Sequence, residues 1–232
     1  MTELLERRSQ ESVTVALMGL DGTGKSTQAE ALERSERASG RRVTRIHHAS
    51  TKTPIVGLLK RRYHSRLIAL LKRQGSHVQW TEADPQAASR SGGAVGALIG
   101  SYLLAGSFLK TLWYRGRYRR RTVVLDRCLL DDIVKVRWRF GVMARLGNLL
   151  MRFAPRPDVV VVFAGDPEVT FERKKTRNCS YAEYLAKGEV LSAVLREAAG
   201  AGWRIVDVSI DGKSPAEVHE RVLELRAGAA GA

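Results

Sequence analysis

Short runs of β-branched and aliphatic residues recur along the chain at 13–18, 43–47, 122–125, 159–163 and 204–208. Four of the five are apolar enough to be buried on both faces, as strands in the middle of a parallel sheet are. Between them apolar residues return every three to four positions. This predicts helices at about 24–39, 55–72, 94–117, 129–153 with a break near Gly141, 167–177 and 181–199. Ser214 followed by Pro215 reads as an N-cap with proline at the first helical position, opening a last helix to about 225. Strand and helix alternate throughout, which calls for an α/β fold: a parallel sheet with helices on both faces.

No repeat or linker interrupts this run, so residues 1–232 are expected to form a single domain with its core at about 13–226 and a frayed tail at 227–232. The stretch 75–93 fits no element and is expected to be a mobile loop over the site. Residues 91–109 carry no charge, but their many glycines and serines suit a buried helix better than a membrane span.

Composition narrows the class. With 44% hydrophobic and 27% charged residues, the chain is neither disordered nor fibrous. Cys128 and Cys179 are its only cysteines, too few for a disulfide scaffold and not spaced as a metal site, and no signal-peptide pattern opens the sequence; a cytoplasmic location is expected. The net charge of +15 favours anionic partners, namely nucleotides, nucleic acid or acidic lipid, without choosing among them. Arginine standing where other proteins use lysine or glutamine would account for part of the excess.

The most informative stretch is G-L-D-G-T-G-K-S-T, directly after the first strand run. Gly19, Gly24, Lys25 and Ser26 satisfy G-x-x-x-x-G-K-[ST] between an apolar strand and a helical pattern. Glycines at 19, 22 and 24 let successive N–H groups approach phosphate oxygens with no Cβ in the way, and the helix beyond adds the positive end of its dipole. Lys25 then reaches the β- and γ-phosphates, and the Ser26 hydroxyl is a ligand for Mg²⁺. With the five strand runs, this loop gives the expected three-layer P-loop NTPase fold, a five-stranded parallel sheet with helices on both faces, and a nucleoside triphosphate is the expected ligand.

Two further segments carry chemistry. V-V-L-D-R ends a buried strand in Asp126, beside the cradle and placed to hold the metal, and Arg127, able to clamp a second phosphate bidentately; the alternative is a surface ion pair. After the fourth strand, V-T-F-E-R-K-K-T-R puts Arg173 and Arg177 four apart on one helix face, with Lys174 beside them. Phosphoryl transfer needs positive charge against the moving group, best delivered by a lid, here about 173–182. A solvated basic helix end is the plainer reading.

Together these residues resemble the thymidylate kinase family of nucleoside monophosphate kinases, over about 13–225. The loop 19–28, V-V-L-D-R and P-D-V-V-V-V-F-A-G-D-P-E-V-T-F-E-R each match a segment of that family. The resemblance implies ATP and Mg²⁺, with Gly19, Asp21, Gly22, Thr23, Gly24, Lys25, Ser26 and Thr27 at the nucleotide, Asp21 near the acceptor's sugar hydroxyl, Arg127 on its phosphate, and the lid arginines Arg173 and Arg177 on the transferring group. It implies dTMP as acceptor and leaves a homodimer open.

Three departures fall on the acceptor half. The helix before the Asp-Arg strand lacks the family's usual arginine; Cys128 stands where Tyr or His is common; Ala164 replaces the usual aspartate of the fourth strand. Phe108 or Tyr102 could stack on a base or face the core. A Pro-Arg-Pro-Asp turn at 155–158 and the Arg173–Lys174 pair look like divergent thymidylate-kinase-like proteins, whose acceptors are often unestablished, which leaves a sugar, a sugar phosphate or a modified base in DNA open as this chain's acceptor.

The basic, aromatic clusters at 60–66 and 110–121 are the pattern of a single-stranded nucleic-acid surface, which keeps open a non-catalytic, nucleotide-gated nucleic-acid-binding protein. His47 and His48 read either as acceptor contacts or as structural histidines.

Overall fold

The computed structural model describes residues 12–48, 94–140, 144–174 and 179–230. Five strands run β1 (Thr14–Gly19), β2 (Val43–His47), β3 (Thr122–Asp126), β4 (Val159–Ala164) and β5 (Ile205–Ser209). All pairings are parallel, in the order β2-β3-β1-β4-β5. The helices are α1 (Lys25–Ala38), α2 (Ala94–Arg117), α3 (Leu129–Phe140), α4 (Ala144–Phe153), α5 (Pro167–Glu172), α6 (Tyr181–Gly200) and α7 (Pro215–Ala230). The helix expected at 55–72, the stretch 75–93, the cluster 60–66, Gly141 and Arg177 lie outside the described residues.

The sheet divides two apolar layers because alternate side chains of each strand point to opposite faces. Ala16, Met18, Val123, Leu125, Val160 and Val162 pack with α2, α3, α4 and α6 on one face. Val15, Leu17, Val124, Val161, Phe163 and Val208 pack with α1 and α7 on the other. Every residue of β1 is buried, as its sequence predicts for the middle strand. Phe108 packs against the first layer, so the core-facing reading of that aromatic is the one observed.

Two helix ends differ from expectation. α7 runs to Ala230, through most of the tail expected to fray at 227–232. Buried Arg226 pairs with Glu36 of α1 at 3.2 Å, Arg204 donates to the Gly228 carbonyl, and Ala229 and Ala230 pack on the core, which holds the last turn in place. α5 stops at Glu172, short of the expected 177. Its apolar pattern ends at Phe171 and Arg173 is its C-cap, while Ser180 caps α6 in a capping box with Glu183.

Candidate functional site

The register brings the ends of three strands level: His47 pairs with Asp126, and Leu17 with Asp126 from the other side. In an open parallel sheet such carboxyl ends form the ligand crevice. The loop from Gly19 to α1 rises from the middle of it. Gly24 takes the left-handed conformation (φ 83°) as N-cap of α1, and a Cβ there would meet nothing within 4 Å, so its surroundings are open. Gly22 (φ 95°) is the opposite case: a Cβ would stand 1.9 Å from the Thr170 carbonyl of α5, so the loop lies directly on the lid-side helix. Thr23 is buried and its hydroxyl donates to the Leu20 carbonyl at 2.8 Å, closing the turn; Thr27 is exposed.

Lys25 is buried, with Nζ donating to the Leu20 carbonyl at 2.6 Å and lying 4.0 Å from Asp21. Burial pushes its pKa down from 10.5 to about 8, against the pull of Asp21. Asp21 also accepts from Arg127 at 2.7 Å and pairs with Lys187 of α6 at 3.2 Å. Burial favours its protonated form, yet Lys187, Arg127 and Lys25 outweigh that and hold the carboxyl well below the usual range. Three cations from three distant segments thus meet on one carboxylate.

Arg127 is the one non-glycine with positive φ (76°) among the described residues, and its N–H reaches back to the Leu17 carbonyl. Such a backbone is disfavoured for a residue with a Cβ and persists only where the surroundings fix it. Asp131 does the fixing: one oxygen accepts from the Cys128 N–H at 3.0 Å, and the other lies 3.8 Å from the guanidinium. Cys128 itself is fully buried against Met18, in a setting that pushes its thiol well up. It is part of the core, where the family's Tyr or His would not fit without rearrangement.

The metal question turns on Asp126. Its Oδ2 accepts from the Ser26 hydroxyl and from His47 Nδ1, both at 3.0 Å, while Oδ1 is buried with no partner among the described residues. An orphaned carboxylate oxygen beside a serine hydroxyl is a donor set that suits Mg²⁺, a cation that takes one or two protein oxygens and fills the rest of its shell with phosphate and water. His47 is half exposed and lies in this crevice, whereas His48 is buried and satisfied by Ser107, Asp132 and Tyr114; only the second is a structural histidine.

On the lid side, Arg173 is exposed and is the C-cap of α5, while Arg177, expected to share its helix face, lies outside the described residues. Lys174 Nζ lies 2.8 Å from Cys179 Sγ across the intervening residues. Sequence reasoning missed Asp131, Tyr184 and Lys187. Tyr184 donates to the Asp21 carbonyl at 2.8 Å, and Lys187 also stands over the Trp138 ring. Asp131 had a signal, an acidic residue three positions after the N-cap Cys128, where a side chain can reach back to the cap N–H; Tyr184 and Lys187 had none.

No model of a known family matches the chain. A relative from Pyrobaculum aerophilum, named as a probable thymidylate kinase, is 24% identical over 217 residues, spanning 91% of this chain and 94% of the relative. The crystal structure of thymidylate kinase from Ehrlichia chaffeensis matches over 93% of this chain and 98% of that chain, with a TM-score of 0.55 at 16% identity. The chain is thymidylate-kinase-like. Its five-stranded, all-parallel sheet with helices on both faces is the P-loop NTPase fold of that structure. In this thymidylate-kinase-like chain no helix among the described residues is long and apolar enough to cross a membrane, and residues 94–109 of the uncharged stretch lie in α2.

Proposed function

We propose that the chain is an ATP- and Mg²⁺-dependent kinase that moves the γ-phosphoryl group of ATP onto a nucleoside monophosphate, converting dTMP to dTDP. One observation carries the reading. Lys25, from the loop shaped for the donor, and Arg127, from the strand end suited to the acceptor, meet on the single carboxylate of Asp21. Two phosphorylated substrates held by these two cations would have their reacting groups side by side, and positioning with charge neutralisation is most of what phosphoryl transfer requires. The names of the relatives point the same way.

The roles follow from placement. The N–H groups of 22–27 cradle the donor phosphates at the α1 N-terminus, and Lys25 neutralises them. Ser26 and Asp126 would hold Mg²⁺, which supplies charge stabilisation on the donor oxygens when bound. Arg127 orients the acceptor phosphate and Asp21 the sugar, with Lys187 in place to supply the second cation that α2 lacks. Arg173 and Arg177 would close on the transferring group.

The test is ADP release with ATP, Mg²⁺ and each acceptor in turn, with Lys25→Ala as control. Stimulation by dTMP, lost in the variant, is the expected result. Stimulation only by another nucleotide, a sugar phosphate or DNA would keep the kinase and replace the acceptor, and no stimulation by any would remove the kinase.

A further inference from the structure

A cavity of about 280 Å³ opens at the end of the sheet opposite the phosphate loop. Its mouth lies where β1 and β3 begin and where the chain turns into β4, between Thr14, Val123 and Pro157. The inner wall is apolar, with Cys128 and the Trp203 ring, whose N–H is already spent on the Met151 carbonyl. The rim is basic: Arg115, Arg119, Arg121 and Arg156. None of these four has a carboxylate partner among the described residues. Arg115 donates to the Thr14 hydroxyl at 3.2 Å and Arg156 to the Gly202 carbonyl at 3.3 Å, so neutral groups fix two of the forks and leave their charge unspent.

Four guanidiniums around one opening repel each other, and an anion seated among them would relieve that repulsion while accepting paired N–H bonds, the geometry in which arginine binds phosphate best. The aromatic residues nearby do not make a nucleic-acid platform. Trp113 and Tyr118 pack edge to face with each other (6.0 Å, 88°) against the core, and Arg117 lies over the Tyr118 ring. A base of single-stranded nucleic acid stacking there would have to compete with these contacts for the rings. The volume falls just under the range of roughly 300–1,000 Å³ usual for small-molecule sites, which suits one ring bearing one phosphate and excludes a nucleoside triphosphate.

We propose that this cavity is a second ligand site, distinct from the phosphate-loop cleft, that binds a phosphate monoester carried on a sugar ring, as in a sugar phosphate or a mononucleotide. It does not depend on which reaction the cleft performs. Because Cys128 in its wall directly follows Arg127, an occupant would sit one residue behind the cleft's own arginine.

Calorimetric titration of the full chain, saturated with ADP and Mg²⁺, with glucose 6-phosphate, AMP and inorganic phosphate separates the possibilities. Expected is saturable binding of at least one ester, weakened by about tenfold or more both in Arg119→Glu/Arg121→Glu and in Arg156→Glu on the opposite wall, with ADP affinity unchanged within about twofold. The ester that binds tighter identifies the body. Circular dichroism melting establishes that each variant folds, and the two variants are independent if one does not. Equal ester affinity in wild type and variants would place the ligand elsewhere and overturn the proposal, as would no binding of either ester at millimolar concentration. Inorganic phosphate binding as tightly as both esters would overturn the organic body. Tighter binding of a single-stranded oligonucleotide, lost in the same variants and steeply salt-dependent, would replace the site with a nucleic-acid surface.

Discussion

The phosphate loop takes its shape from residues adjacent in sequence, whereas the basic cluster facing it is assembled from Asp21, Arg127, Asp131 and Lys187, with Lys187 lying 166 positions from Asp21. In the loop, the turn is closed from within by Thr23 and Lys25 on the same Leu20 carbonyl, with α5 and Tyr184 bracing it from outside. In the cluster, the position of every charge depends on the packing of α3 and α6 on the sheet. A contiguous cradle keeps its form as the rest of a sequence drifts; a cluster built across elements is where acceptor preference can change. The departures from the thymidylate kinase pattern, in α2, at Cys128 and at Ala164, lie outside the loop, with Cys128 directly beside Arg127.

The largest effect expected from breaking this contrast is at Lys25. Lys25→Ala should lower ADP release by about 10³, since it removes the buried cation at the donor phosphates; activity within tenfold of wild type would show that the loop is not the donor site. Arg127→Ala comes next, with acceptor kcat/KM reduced about 10²-fold and ATP affinity changed less than about threefold. Equal losses in both would erase the division between the regions.

Glycine substitutions sharpen the contrast within the loop. Gly22→Ala forces a Cβ onto the Thr170 carbonyl, whereas Gly24→Ala meets no atom and suffers only its positive φ. In denaturant titrations Gly24→Ala should cost about 1 kcal/mol and Gly22→Ala clearly more, of order 2–3 kcal/mol. The reverse order would mean that α5 does not rest on the loop.

The smallest effect is a proton. With its pKa lowered to about 8, Lys25 is partly neutral at pH 8 in the free protein, and a bound polyphosphate would restore its charge. ATP binding at pH 8 should therefore take up a fraction of a proton, seen as a dependence of calorimetric enthalpy on the buffer's ionisation enthalpy, and absent in Lys25→Arg. Linkage gives the companion sign. A lysine depressed in the folded state binds fewer protons there than in the unfolded chain between about pH 8 and 10.5, so its contribution makes stability rise with pH across that window.

The fold was legible because its strands are short β-branched runs whose apolar character survives any context, and their ends came within a residue or two. The loop was legible for the same reason: G-x-x-x-x-G-K-S between a strand and a helix is a local statement. What could not be read was anything that depends on two elements meeting. Lys187 is an ordinary lysine on an ordinary helix until packing sets it against Asp21, and nothing in its neighbours marks it. The overlong helix after Pro167 and the underlong last helix are errors of the same kind. α5 ends at Glu172, one residue after its last apolar position, and Arg226 prolongs α7 because Glu36 waits on α1. In the arginine-rich stretch at 110–121, sequence shows the aromatics but not that Trp113 and Tyr118 pack on each other and under Arg117.

The most direct measurement follows the phosphoryl group itself. Incubated with ATP labelled at the γ-phosphorus, Mg²⁺ and dTMP, the protein should yield labelled dTDP, with none formed by Lys25→Ala. Label that appears only as inorganic phosphate, or remains in ATP, would contradict the transfer on which the whole account rests.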